Sequence, residues 1–241
     1  MQPLGKYKGL FILFILIIFG ITITIQGCKS QKEKSSSSLI EEGIVYYTIS
    51  YMPEIKERSF SFLLPDEMTY YFRRGQERIT FKGNLGLYKL DFISNHSNDS
   101  SSTLLKIINK KMYVPASESQ KLFIFQSLRN GNLTFAKDTT RQILGYKAQK
   151  AVIHLNSRIN SDIEVWYSAQ ISNATTNKNT PFAQIPGVML EFSIYYNDMR
   201  FNLNATKIEK AVLSDSLFTV PSDYQPTTLQ EIEQTITGIF H

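Results

Sequence analysis

The sequence predicts a mainly β protein: a curved antiparallel sheet or half-open β-barrel with one or two short accessory helices. Three observations predict it. Apolar and polar residues alternate with a period of two in many short runs, and Val188 to Tyr196 is the clearest of them. Between the runs stand Gly, Pro, Asn and Asp, the residues that tighten turns. Aromatic residues make up 12% of the chain and hydrophobic residues 42%, which supplies a substantial core and excludes the disordered class.

At the N-terminus, Lys6 and Lys8 precede an apolar run from Leu10 to Gly20, continued by Ile21, Ile23 and Ile25. A basic start, an apolar middle and a small residue before the cut describe a secretory signal over residues 1–27. Cys28 stands directly after that cut, so this end resembles a bacterial lipobox. The resemblance implies that the Cys28 sulfur receives a diacylglyceryl group and that its freed amine is acylated, with palmitate-like chains that hold the protein on a membrane. Gln26 departs from the small residue usual at its position. The other reading is an uncleaved transmembrane anchor, but the run is short against the about 20 residues that a span needs. Residues 28–40, rich in Ser and Lys, read as a flexible tether. Some lipoproteins with such a lipobox carry an acidic cluster just after the Cys that directs them to the cell surface. Here Glu33 stands alone among lysines, so the resemblance implies the periplasmic face of the outer membrane instead.

An antiparallel β domain is expected over residues 41–226. Gly43 to Met52 is its first strand, with Val45, Tyr47, Ile49 and Tyr51 on one face and Pro53 as its stop. Phe60 to Leu64 is a short apolar run ended by Pro65. Met68 to Arg73 and Arg78 to Phe81 flank Gly75 as a hairpin. Leu85 to Ile93 is the next strand, and Asn95 to Ser102 a polar loop. Leu104 to Ile108 and Met112 to Val114 form a second hairpin around Asn109-Lys110-Lys111, stopped by Pro115. Ser117 to Arg129 reads as a helix, because Ser117 and Gln120 fit a capping box and Leu122, Phe125 and Leu128 make a stripe. Phe123-Ile124-Phe125 fits a strand equally well.

Leu133 to Phe135 and Ile143 to Leu155 return to strand character, with a bulge expected from Gly145 and a phase shift near Lys150. Ile163 to Ser168 is a compact strand that sets Ile163, Val165 and Tyr167 opposite Glu164 and Trp166. Ser172 to Thr180 reads as a polar loop. Pro186-Gly187 then suits a type II turn. In the strand that follows, Val188, Leu190, Phe192, Ile194 and Tyr196 share one face, and Met189, Glu191, Ser193 and Tyr195 share the other. Asn197-Asp198 turns the chain into Phe201, Leu203 and Ala205, completing a hairpin. Over residues 227–241, Thr228 and Glu231 fit a capping box, and Leu229, Ile232, Ile236 and Ile239 mark a short amphipathic helix.

The formal net charge of +5 includes Lys6 and Lys8 of the signal. Charge this mild and scattered excludes a nucleic-acid footprint. One cysteine permits neither an intramolecular disulfide nor a cysteine-based metal site. His96, His154 and His241 lack metal-ligand spacing and read as solvent-facing or incidental. No metal, cofactor or catalytic residue is expected. Glu164 and Glu191 read as solvated strand residues rather than an acid–base pair. Trp166 either lines a pocket or covers the edge of the core.

Three pieces in order carry a family resemblance: Ile143-Leu144-Gly145-Tyr146-Lys147-Ala148-Gln149-Lys150-Ala151, then Val165-Trp166-Tyr167, then Ile185-Pro186-Gly187-Val188-Met189-Leu190-Glu191-Phe192. Together with the ending Asp215 to Pro221 they resemble the GLPGLI family of Bacteroidota envelope proteins. Gln184 stands where the family name has its first Gly, and Ala148 where many members have Cys. The resemblance implies an envelope compartment and a β-sheet domain. Such domains are similar to the LolA/LolB-like half-barrel, a curved sheet around an apolar cavity.

The expected function is therefore a non-catalytic binding module, lipid-anchored at Cys28. A lipid or other apolar ligand would lie on the concave face, against Val188, Leu190, Phe192, Ile194, Tyr196 and Trp166. The alternative is a structural accessory lipoprotein with a packed interior and an envelope protein partner.

Overall fold

The structure, a computed structural model, describes residues 39–58, 61–83, 86–117, 123–128, 130–155, 162–196 and 199–240. The signal, Cys28 and most of the tether fall outside them. Ser37–His241 forms one compact unit.

Twelve strands among the described residues make one sheet: β1 Gly43–Tyr51, β2 Pro65–Arg73, β3 Gln76–Gly83, β4 Tyr88–Asn95, β5 Ser100–Ile107, β6 Lys110–Ser117, β7 Asn132–Ile143, β8 Tyr146–His154, β9 Ile163–Ser168, β10 Val188–Tyr196, β11 Met199–Lys210 and β12 Gln225–Pro226. Two helices accompany it, α1 Pro53–Lys56 and α2 Leu229–Phe240. Short 3-10 helices lie at Ser61–Leu63, Phe123–Leu128 and Asp215–Phe218.

The sheet order is β12-β6-β5-β4-β3-β2-β1-β11-β10-β9-β8-β7, so two meanders, β1–β6 and β7–β11, meet at the β1–β11 pair. Every pairing is antiparallel except the two-residue contact of β12 with β6. The sheet curls strongly. Laid flat, the five steps from β4 to β10 would separate them by about 24 Å. Instead Phe92 of β4 and Tyr196 of β10 both touch the Phe123 ring, at centroid distances of 5.5 and 6.0 Å.

The alternation seen in sequence sets the inner face. Val45, Tyr47 and Ile49 of β1 are buried while their neighbours are partly or fully exposed. Ile79 and Phe81 of β3, Leu90 and Phe92 of β4, and Phe192 and Ile194 of β10 join them in one core. Part of the outer face is covered as well. Residues 211–224 run as a strap across it, where Leu213, Phe218 and Tyr224 form a second core with Ile93 and Leu104. Under the strap, buried Arg78 meets buried Asp91, with Nη2–Oδ2 at 3.0 Å and Nε donating to Oδ1 at 3.0 Å. Thr80 donates to the same oxygen at 2.5 Å.

Several expectations are corrected. Of the segment read as a helix from Ser117 to Arg129, Ser117 ends β6 and Phe123–Leu128 is a 3-10 helix, while residues 118–122 and 129 lie outside the described residues. Phe123, Ile124, Phe125 and Leu128 are all buried, three of them consecutive, so this short segment is a plug in the core. Gly145 marks no bulge: with Leu144 (φ 50°) and its own φ of 83° it turns β7 into β8. The bulge lies in β7, between Phe135 and Thr140 and opposite Lys150, with Asp138 at φ 58°.

Pro115 does not stop β6, which runs to Ser117. It pairs with Ser102 of β5, and β12 flanks β6 only at Met112 and Tyr113, so the imino nitrogen meets no missing partner on an open edge. Pro186-Gly187 is not a type II turn. Gly187 N donates to Ile185 O at 2.9 Å, a three-residue turn about Pro186. Glycine is needed there because a Cβ would lie 2.2 Å from the Ser168 carbonyl oxygen. The β10–β11 hairpin forms as expected, its turn lying outside the described residues. At α2, Glu231 N donates to Thr228 Oγ1 at 3.2 Å, which supplies the predicted cap.

Candidate functional site

The concave face encloses two small cavities that follow one another along the strands. The first, about 20 Å³, lies between Tyr47, Tyr70, Glu77, Phe125, Asn177 and Thr180. The second, about 30 Å³, lies between Phe81, Tyr88, Leu90, Ile194, Tyr196 and Ile236. Each has room for about one water molecule. β3 reaches both, presenting Glu77 and Ile79 to the first and Phe81 to the second. β10 does the same with Phe192 and Ile194.

The first cavity has a polar end. Tyr70 OH donates to Glu77 Oε1 at 2.6 Å, and the other Glu77 oxygen lies 3.5 Å from His96 Nε2. Both side chains of that Glu–His pair are buried, so His96 is not solvent-facing as the sequence suggested. Tyr47 OH donates to the Met189 carbonyl at 2.8 Å. Burial pushes the Tyr47 phenol well above its ordinary range, and burial together with the Glu77 charge does the same to Tyr70. Both phenols therefore stay protonated.

The rest of the polar wall comes from residues 169–187, read from sequence as containing a polar loop. The loop is polar, but it folds inward. Thr176, Asn177, Asn179 and Thr180 are buried, and Ile171, Phe182 and Ile185 are almost completely so. Asn173 nucleates it by accepting from Thr175 N at 2.9 Å. Asn177 sits at φ 64° and its amide donates to Ile185 O at 3.1 Å and Gly187 O at 2.8 Å. Asn177 and Thr180 thus carry their own hydrogen-bond partners into the interior.

The second cavity is apolar, and α2 forms one wall. Ile232 and Ile236 are buried in the core. At its surface the helix is tied to β6 by Lys110 Nζ and Glu231 Oε1 at 2.9 Å.

Of the residues singled out in sequence, Val188 and Phe192 line the first cavity, and Ile194 and Tyr196 the second. Leu190 is fully buried at a register shift against β9, between Met189 and Glu191. The strict alternation expected for this strand breaks there, and Met189 joins Val188 on the first cavity. Trp166 lines neither cavity. It pairs with Glu191 on the other face of the sheet, where the Arg141 guanidinium stacks 4.0 Å from its ring centroid and also pairs with Glu191. Glu164 pairs with Lys150 at 2.5 Å on the surface. Sequence reasoning missed Tyr70, Glu77, His96, Asn177 and Thr180. For Glu77 a signal existed: it is in phase with Ile79 and Phe81.

Among the described residues no group of three or more His, Cys, Asp or Glu side chains could hold a metal ion, and no helix is long and apolar enough to cross a membrane.

A half-open antiparallel barrel with an apolar interior, closed by its own loop and terminal helix, defines the class of domain. The family described as N-glycanase peptide, N-terminal domain, matches residues 92–225, from β4 to β12, and the chain belongs to that family. Solved structures similar to it are remote. MucB shows 7% identity and a TM-score of 0.32, covering 79% of this chain and 61% of its own, so the chain spans about three fifths of MucB. LprF from Mycobacterium bovis shows 11% identity and a TM-score of 0.31 over 78% of this chain and 91% of its own. The LolA superfamily protein NE2245 from Nitrosomonas europaea shows 11% identity and a TM-score of 0.31 over 75% and 91%. No curated protein matches the chain.

Proposed function

We propose that this protein is a non-catalytic binding module of the bacterial cell envelope, anchored through a lipidated Cys28, which holds an apolar ligand between the concave face of the sheet and α2. The observation that carries this reading is the second cavity. Its lining is aliphatic and aromatic, with Tyr88 and Tyr196 the only residues in it that carry a polar side-chain atom, and one wall is a short helix that docks by Ile232 and Ile236. Moving such a helix exposes continuous apolar surface without breaking the sheet. The GLPGLI resemblance and the lipobox support the envelope, with the periplasmic face of the outer membrane as the proposed site.

One observation favours a second reading. At about 20 and 30 Å³ the cavities hold no ligand larger than water while α2 and the plug stay in place. An accessory lipoprotein with a packed interior and an envelope protein partner fits that state. Native mass spectrometry with lipid extraction, on the full chain purified from a host envelope in mild detergent, separates the two. A co-purifying lipid of defined mass supports the binding module. A mass carrying only the anchor lipid, with a stoichiometric protein partner on crosslinking, supports the accessory role.

A further inference from the structure

We propose that the interior takes an elongated amphiphile whose head group donates hydrogen bonds, that Glu77 accepts from it, and that carboxylate heads are rejected; this rests on the apolar-ligand reading above. The two cavities lie end to end. Alternate residues of β3 and β10 line them in turn, about 7 Å apart. Between them stand Phe125, on the first, and Ile124, on the second. A ligand spanning both takes the space of these two side chains and displaces the 3-10 segment Phe123–Leu128. Its tail lies beneath α2, and its head reaches the polar end.

The polarity of that end is one-sided. Every side-chain donor of the residues that line the first cavity is committed to the protein: Tyr47 OH to Met189 O, Tyr70 OH to Glu77, both Asn177 amide hydrogens to Ile185 O and Gly187 O, and Thr180 OH to Asn177 O. His96, outside that lining, faces the other Glu77 oxygen. What remains toward the cavity is acceptor capacity, and the Glu77 carboxylate has the most of it. An alcohol, amide or ammonium head completes this set. A carboxylate head would bring a second acceptor and a like charge beside Glu77 in a buried site, which is strongly unfavourable.

The test uses the full chain in amphipol with an apolar fluorescent probe, N-phenyl-naphthylamine, and three competitors of equal chain length: dodecanol, dodecylamine and dodecanoate. The alcohol and the amine are expected to displace the probe at concentrations roughly tenfold or more below those needed for dodecanoate, the scale of one hydrogen bond to a charged group. Glu77→Gln, which can both donate and accept, is expected to bring dodecanoate level with the other two. Equal displacement by all three in the native protein overturns the head-group assignment and leaves the apolar-ligand reading standing. A probe that never enters overturns both. The native ranking decides by itself, so the test survives a Glu77→Gln chain that does not fold.

Discussion

Arg78 and Asp91 form a buried ion pair across β3 and β4, at 3.0 Å, on the outer face of the sheet and beneath the strap. Arg78 also donates to the Leu217 carbonyl at 2.8 Å, so the pair fastens the strap as well as the strands. Lys89 Nζ also lies 3.2 Å from Asp91, but it is partly exposed, whereas removing Asp91 leaves the buried Arg78 charge without its carboxylate. Asp91→Ala is expected to cost about 3–5 kcal/mol in a urea titration, far more than loss of a surface pair. A midpoint within error of the native chain would show that water reaches the site.

Gly187 and Gly86 should respond differently to alanine. At Gly187 the new Cβ would sit 2.2 Å from Ser168 O, and the obstacle is backbone. Gly187→Ala should cost about 2 kcal/mol or more and disturb the β9–β10 register. At Gly86 nothing lies within 4 Å, and the cost is only that of φ +67° for an L residue, about 1–2 kcal/mol. Urea midpoints with amide exchange along β9 check both.

Alkali should unfold the domain through its tyrosines. The Tyr46 phenol, hydrogen-bonded to Glu209, is pushed up to about 12, and Tyr47, Tyr51, Tyr70 and Tyr88 are raised further by burial. A group raised on folding stabilises fully below its unfolded pKa of about 10, and that contribution falls as pH climbs toward the folded value. Stability should therefore decline from about pH 10 upward, with tyrosinate absorbance rising together with loss of tertiary signal. Ordinary titration of all tyrosines in an intact fold would contradict this.

The docking of α2 should weaken in acid. Glu231 is held below the usual carboxylate range by Thr227 and Lys110. Its contribution is present above the unfolded pKa and disappears as pH falls through the folded one. Faster hydrogen exchange in α2 than in the sheet below about pH 4 is the expected signature, and Lys110→Ala should reproduce it at neutral pH. Ile236→Ala should loosen the same helix by about 2–4 kcal/mol and, on the proposed function, raise uptake of an apolar dye.

Trp166 is the only tryptophan of the chain, so it reports on one place. Arg141→Ala uncovers its ring and should shift fluorescence emission to the red, while stability changes by less than about 1 kcal/mol. An unchanged spectrum would mean that Arg141 does not cover the indole in solution.

The sheet was legible in the sequence wherever one face of a strand is buried and the other wet, as in β1, β9 and the first half of β11. The cap of α2 was legible for the same kind of reason, since its hydrogen bond is local. The interior was not. Phe123, Ile124 and Phe125 are buried on consecutive positions, which erases any period and makes helix, strand and plug look alike. The Asn- and Thr-rich loop has the composition of a solvated turn, because what buries it is a set of bonds such as Asn177 to Gly187 O that no local pattern announces. In β3 both faces are covered, one by the plug and one by the strap, so no alternation in the sequence marks Glu77 and Arg78 as buried. Only the shared phase of Glu77 with Ile79 and Phe81 could have placed it inside.

The order of strands also dictates a schedule for folding. Each meander is made of sequence neighbours, whose pairing closes short loops and is fast. The seam between β1 and β11 joins Gly43 to Lys210, nearly the whole length of the domain. It cannot form until the last long strand has emerged, so a chain growing from its N-terminus spends that interval as two unsealed half-sheets. Slow steps in refolding should therefore map to this seam, and agents that hold the chain before it closes would act on the exposed edges of β1 and β11.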